Sequence, residues 1–358
     1  MKIVWNNDCY IKGITKNFRY TSKIAGFDLD STLIEPKKGG FKYKDENDWK
    51  FMFDNVPHIL EKLSKSGYCI IIITNQAGME KKNDVKEDVW MKKINYVVAS
   101  LNIDICIFCS KGHDKYRKPI PTFFNMIEND MIEYDIKINK TKSFYCGDAC
   151  GRKNDHSDTD FKFAINCKLN FITSEKLFLG HNNNPPKFTY TREPYTNTNK
   201  EYNFIPNEKE LIIMVGYPAS GKSHTSKLIQ NNAYVVINRD TLKTQDKCIT
   251  KCDEAMKNNL SIVIDNTNPD KESRSKYIEL AKKYNYKTRA LIMTTSLELS
   301  KHNNGYRSYI TETPFIPNIV YNIYSKKYQE PTINEGFDKI EKIEPSLPLD
   351  INYLYFFY

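Results

Sequence analysis

Two carboxylates one residue apart, Asp28 and Asp30, follow an apolar run at residues 24–27 in the string Gly26-Phe27-Asp28-Leu29-Asp30-Ser31-Thr32. The carboxyl end of a buried strand is where α/β sheets assemble their sites. At this spacing both carboxylates can lie close to one Mg²⁺, one attacking phosphorus while the other protonates the leaving group. Taken alone, Asp-x-Asp before Ser-Thr reads equally well as a turn or a helix cap. Three later strand ends shift that balance. The run at 70–73 ends in Thr74-Asn75-Gln76, a hydroxyl and amides suited to phosphate. Lys118, in Tyr116-Arg117-Lys118-Pro119, follows the third strand and can neutralise phosphate oxygens, and the run at 143–146 ends in Gly147-Asp148, a further carboxylate for the metal. Singly, Thr74 could be a cap and Lys118 a surface charge; four successive strand ends in this order are hard to obtain by chance.

A second constellation begins after an apolar run at 211–215 with Gly216-Tyr217-Pro218-Ala219-Ser220-Gly221-Lys222-Ser223. This is G-x-x-x-x-G-K-S between a strand and a helix. Backbone N–H groups from Gly216, Ala219, Ser220 and Gly221 wrap phosphates, Lys222 reaches the outer ones, and the Ser223 hydroxyl serves Mg²⁺. Strand ends further on carry Asn238-Arg239-Asp240 and Asp265-Asn266-Thr267-Asn268-Pro269. Phosphoryl transfer to a hydroxyl needs a carboxylate to take its proton, and Asp240 and Asp265 both qualify, with a helix cap the plain alternative for Asp265. Arg307, in a segment at 301–307 read as mobile and basic, can cover phosphates.

The elements that must hold these residues alternate apolar runs with amphipathic stretches, an α/β pattern. A polar stretch without sustained period divides two series. The expected organisation is a domain at 1–174, a connection at 175–208 and a second domain at 209–358. A chain of 358 residues suits two domains of about 150 residues each. The net charge of +9 favours a polyanionic partner, although charge alone is weak evidence. Apolar runs are too short to cross a bilayer, so no membrane partner is expected. The start of the chain lacks the unbroken apolar stretch of a signal peptide. Nine cysteines, an odd number, do not suggest a disulfide framework, and an intracellular, reduced protein is expected. Cys106 and Cys109 sit three apart in a strand, on opposite faces, which argues against shared metal ligation. Cys248 and Cys252 read as small buried residues.

The first constellation resembles the haloacid dehalogenase superfamily of aspartyl-phosphate phosphatases. That resemblance implies Asp28 as nucleophile, Asp30 as general acid and base, Thr74, Asn75 and Lys118 on the phosphoryl group, and Asp148 completing a Mg²⁺ site with Asp28 and Asp30. Ser31 stands where that family usually has Gly, which implies a less permissive turn. No room for a capping domain is left between Thr32 and Thr74 or between Asn75 and Lys118, so the site should be open to the end of a polymer.

Order and wording of the motifs together resemble the eukaryotic-type polynucleotide kinase 3′-phosphatases, phosphatase first and kinase second. The strings that carry this include Gly147-Asp148-Ala149-Cys150-Gly151-Arg152, Asn238-Arg239-Asp240-Thr241-Leu242, Asp265-Asn266-Thr267-Asn268-Pro269 and His302-Asn303-Asn304. The resemblance spans residues 24–337. It implies a haloacid-dehalogenase-like domain followed by a P-loop kinase domain. Asp240 would be the base that activates a 5′-hydroxyl, ATP would be the donor, and Arg239, Lys243, Asp265 and Asn268 would lie on the acceptor side. Arg307 would be the lid arginine, Asp155 and Asp160 would stand behind the metal site, and Gly305 replaces a second basic lid residue. With about twenty residues expected before the first strand, the forkhead-associated domain of the animal enzymes is expected to be absent. DNA ends are the favoured substrate and RNA ends the alternative, with a ligase or polymerase acting next and a monomer as the expected state. A small-metabolite kinase–phosphatase and a non-catalytic strand-end binder are the remaining readings. Lys37, Lys38, Lys42 and Lys44 are candidate strand contacts or simply a solvated loop.

Overall fold

A computed structural model of the chain describes residues 2–40, 42–79, 86–181, 185, 202–311, 313–348 and 350–357. The chain divides into two compact units, Met1–Tyr190 with Ser308–Thr313 and Tyr355–Tyr358, and Thr191–Arg307 with Pro314–Leu354.

The first unit is built on a seven-stranded sheet ordered β1-β2-β7-β6-β3-β8-β9. In chain order these strands are β1 (Ile3–Asn7), β2 (Tyr10–Thr15), β3 (Lys23–Phe27), β6 (Tyr68–Asn75), β7 (Ile105–Ser110), β8 (Phe144–Gly147) and β9 (Asn170–Thr173), with a small pair β4 (Ile34–Glu35) and β5 (Lys50–Phe51). From β7 to β9 the neighbours are parallel, joined through α1 (Val56–Lys65), α2 (Glu87–Leu101), α3 (Thr122–Glu133) and α4 (Thr159–Cys167). Both faces of the sheet are covered, which explains why β6 reads as an unbroken Cys-Ile-Ile-Ile-Ile run. Alternation sends Ile70 and Ile72 into one core and Ile71 and Ile73 into the other. Cys106 and Cys109 are likewise parted between the two cores, as their spacing predicted. All nine cysteines are free, and only Cys9 is exposed.

Two features differ from the sequence reading. The first strand does not wait for about twenty residues: β1 and β2, ahead of β3, form an antiparallel hairpin that extends the sheet through β7. Ser174–Leu179, read as the start of the connection, is a helix (α5) whose Phe178 packs in the first unit's core. Residues 186–201 of the connection lie outside the described residues, while Phe204 near its end packs edge-on against Tyr234 of the second unit. Between Thr32 and the start of β6 at Tyr68 the described chain forms only β4, β5 and α1, with no separate capping domain.

The second unit carries a five-stranded parallel sheet, β11-β12-β10-β13-β14. Its elements run β10 (Glu210–Val215), α6 (Lys222–Gln230), β11 (Val235–Ile237), α7 (Arg239–Leu242), α8 (Gln245–Lys257), β12 (Ile262–Ile264), α9 (Lys271–Lys283), β13 (Lys287–Met293), α10 (Leu297–Thr311, up to Arg307), α11 (Asn318–Lys327) and β14 (Lys339–Ile343). Cys248 and Cys252 are buried in the α8 stripe that packs on this sheet. Among the described residues no helix is long and apolar enough to cross a membrane.

Candidate active sites

In the first unit the ends of β3, β6 and β8 bring the expected groups together. Lys118 is the hub: its Nζ donates to Asp28 Oδ1 at 2.6 Å, Asp160 Oδ1 at 2.7 Å and the Tyr145 hydroxyl at 2.8 Å. Lys118 is only 3% exposed, and although burial acts to discharge it, the Asp160 and Asp28 carboxylates hold its ammonium charged. Asp28, Asp148 and Asp160 each offer an oxygen within 4.8 Å of the others. Burial pushes the Asp28 carboxyl well up, opposed by Lys118 and reinforced by Asp160 and Asp148. Asp148 is pushed up to about 6 by burial and by the charge on Asp160, and accepts a bond from the Thr32 hydroxyl. Two buried carboxylates and the half-buried Asp148, facing one another, are a hard-oxygen donor set of the kind that takes a divalent cation.

Asp160 is therefore not behind the site, as the motif comparison implied, but inside it, at the first turn of α4. Asp155 is held within its own loop. Burial acts to raise it, but Arg152 and the N–H groups of Cys150 and Arg152 hold it below the usual carboxylate range. Asp30 is not in the three-carboxylate group: its oxygens accept from the Tyr43 hydroxyl at 2.7 Å and from Gln76 Nε2, which also bonds Thr74 Oγ1. Asn75 spends its side-chain amide on the Lys118 backbone, accepting from Lys118 N at 2.9 Å and donating to Lys118 O at 3.1 Å. Ser31 adopts the left-handed conformation, φ 61°, where the related pattern has Gly. Lys37, Lys38, Lys42 and Lys44 are all exposed. Sequence reasoning missed Tyr145 and Tyr43, which carry no motif.

In the second unit a cavity of about 630 Å³ is lined by Ala219, Lys222, Ser223, Arg239, Asp240, Lys243, Asp265, Asn268 and Arg307. The loop into α6 is left-handed at Ala219 (φ 56°) and Gly221 (φ 99°); a Cβ at Gly216 would meet Ser220 Oγ at 2.8 Å. Lys222 Nζ donates to the carbonyls of Gly216 at 3.0 Å and Tyr217 at 2.6 Å. Burial pushes its ammonium down to about 8, against the pull of Asp265 and Asp240. Asp265 is no helix cap. Its Oδ2 accepts from Asn238 Nδ2 at 2.9 Å, while its buried Oδ1 has no hydrogen-bond partner among the described residues. A buried carboxylate oxygen left without a partner, on a residue that lines the cavity, fits an acceptor hydroxyl or a metal-bound water.

Asp240 follows the Asn238 cap of α7, and Lys243 closes that helix by donating to Asp240 O at 2.6 Å. Asn268, which lines the cavity, spends its amide on Met214 O at 2.7 Å and so fixes the loop after β12. The segment at 301–307 is not mobile: it is the middle of α10. His302 and Asn304 are buried, and Asn303 Nδ2 grips Ala219 O at 3.1 Å, because the small polar residues there bond backbone instead of solvent.

Residues 23–178 match the polynucleotide kinase 3 phosphatase family model, and residues 243–331 match an AAA domain model. A bifunctional polynucleotide phosphatase/kinase of Schizosaccharomyces pombe is 36% identical over 351 residues, covering 96% of this chain and 85% of that protein. The chain belongs to the bifunctional polynucleotide phosphatase/kinases. A putative member of this family from Acanthamoeba polyphaga mimivirus is also 36% identical, covering 94% of this chain and 89% of the relative. A polynucleotide 3′-phosphatase of Saccharomyces cerevisiae is 26% identical over 44% of this chain and 87% of its own length. The order found here, the phosphatase match first and the P-loop unit second, is that of the family's name.

Proposed function

We propose that the protein heals polynucleotide ends, removing 3′-phosphate at the Asp28 site and phosphorylating 5′-hydroxyl with ATP at the Lys222 site. The observation that carries this is the pairing, in one chain, of a buried Asp28–Lys118–Asp148–Asp160 cluster with a complete P-loop cavity that also contains Asp240 and Asp265.

In the first reaction Asp28 attacks phosphorus, the P–O3′ bond breaks, and Asp30 gives its proton to the departing oxygen. Asp30, now a carboxylate, takes a proton from water as that water displaces phosphate from Asp28. Lys118 and Thr74 balance and orient the phosphoryl oxygens. Asp28, Asp148 and Asp160 would hold Mg²⁺, whose charge would offset the burial and mutual repulsion that raise the Asp28 and Asp148 carboxyls. Bound there, the ion supplies charge neutralisation. In the second reaction Asp240 accepts the 5′-hydroxyl proton as the oxygen attacks the γ-phosphorus and ADP leaves. Lys222 and Arg307 hold phosphate oxygens, Arg239 and Lys243 face the acceptor side, and Ser223 with Asp265 would hold Mg²⁺.

Strand breaks in DNA are the favoured substrate, because the uncapped first site suits a chain end and the products, 3′-hydroxyl and 5′-phosphate, are what a polymerase or ligase consumes. Buried free thiols suit a reducing, intracellular setting. The test assays both activities on matched DNA and RNA oligonucleotides. Asp28→Ala should reduce phosphatase to background and spare kinase, whereas Lys222→Ala or Asp240→Ala should do the reverse. Loss of both activities from one folded variant would sink the two-site assignment, and faster turnover of RNA ends would move the substrate to RNA.

A further inference from the structure

Lys93 is a lysine placed on the wrong face of its helix. The inward stripe of α2 runs through Trp90, Ile94, Val97, Val98 and Leu101, and Lys93 lies within it, only 4% exposed. Its Nζ sits 3.2 Å from the centre of the Tyr43 ring. Burial weakens its hold on the proton, and the largest opposing influence is the charge of Asp30. Tyr43 comes from the segment between β4 and β5, and its hydroxyl donates to Asp30 Oδ1 at 2.7 Å. On the other side Gln76 donates to Asp30 Oδ2 and to Thr74 Oγ1. The chain thus runs from a buried cation through an aromatic face and a phenol to the carboxyl that handles the proton.

We propose that Tyr43, clamped by Lys93, is the positioning residue that aims Asp30 at the leaving 3′-oxygen. The proposal rests on the reading of Asp30 as general acid. A carboxyl on two rotatable bonds has many orientations, and donors fixed on both oxygens leave it one. Each oxygen keeps a second lone pair, so the proton destined for O3′ can still be carried there. A desolvated ammonium over an aromatic face is attracted strongly enough to fix the ring and to polarise its hydroxyl as a donor. Packing alone does not account for the residue, since a methionine would fill the same space without burying a charge. The signal was legible in the helical period, which puts position 93 between 90 and 97 on the inner face.

Aiming matters in proportion to how much the leaving group needs a proton. A sugar 3′-alkoxide needs one; a nitrophenolate departs without it. The experiment measures kcat/KM, which reports the steps through P–O cleavage, for a 3′-phosphorylated oligodeoxynucleotide and for p-nitrophenyl phosphate. The full chain is compared with Tyr43→Phe, Lys93→Met, Lys93→Arg and Asp30→Asn. Expected for Tyr43→Phe and Lys93→Met is a loss of at least about tenfold on the oligonucleotide and under about threefold on p-nitrophenyl phosphate, with Lys93→Arg recovering most of the difference. Retained turnover of p-nitrophenyl phosphate also shows that the first unit is folded. Equal losses on the two substrates, or none on either, overturn the proposal when Asp30→Asn itself discriminates between them. Failure of Asp30→Asn to discriminate removes the general-acid reading, and the positioning role falls with it.

Discussion

A Cβ built on Gly147 would lie 2.3 Å from Oδ2 of Asp160, so only glycine lets β8 pass this close to the carboxylate that shares Lys118. Gly147→Ala should push Asp160 out of line, disturbing Lys118 and with it the nucleophile. A displacement near 1 Å at such a site costs about a hundredfold in rate. Phosphatase turnover should fall by that order while kinase turnover in the same preparation is unchanged; undiminished phosphatase would mean that Asp160 is dispensable. Ser31 shows the opposite case. Its left-handed φ of 61° costs about 1–2 kcal/mol for an L-residue, more than the about 0.4–1 kcal/mol of unfolded-state entropy that a glycine would add. Its N–H is bonded to Ile34 O at 2.8 Å, which keeps the turn after Asp30 formed without glycine.

The elements that carry motifs were legible because each ends a buried strand, and buried parallel strands announce themselves as continuous apolar runs. The β1–β2 hairpin was not, since Asn6, Asn7 and Lys12 interrupt the run. Its register is instead set by Trp5 covering Gly13, where a Cβ would meet the indole at 2.4 Å. Helix α10 was misread for a related reason: Lys301, His302, Asn303 and Asn304 look like a solvated loop, and their backbone-directed hydrogen bonds are invisible in composition. Charge was similarly opaque in α9 (Lys271–Lys283), where Arg274 is fully buried. It pairs with Glu335 at 2.8 Å and donates to Asn268 O at 3.1 Å, tying the loop that bears Asp265 to the turn before β14. Arg274→Met leaves Glu335 buried and unpaired, which costs about 3–5 kcal/mol. Urea unfolding followed by kinase activity should shift to lower denaturant by that amount. A shift under about 1 kcal/mol would show that Glu335 finds water instead.

For the molecule as a whole, the net charge of +9 says nothing about where a strand runs, but it does make a quantitative demand on binding. Each phosphate neutralised on a single strand contributes about −0.7 to the slope of log affinity against log salt. A substrate touching three phosphates beyond the reacting one should therefore weaken roughly twentyfold between about 50 and 200 mM salt. p-Nitrophenyl phosphate meets only the buried cluster around Lys118, where screening by salt is slight, so its KM should rise less than about threefold over the same range. Measuring both KM values on one preparation separates the strand's contribution from that of the catalytic centre. Parallel slopes would mean that the excess positive charge plays no part in holding the strand, and that polynucleotide selection rests on access to the uncapped site alone. A steep slope confined to oligonucleotides would make the charge part of the substrate-binding surface, and neutralising Lys37, Lys38, Lys42 and Lys44 one at a time would then show, as steps of about 0.7, which of them meet phosphate.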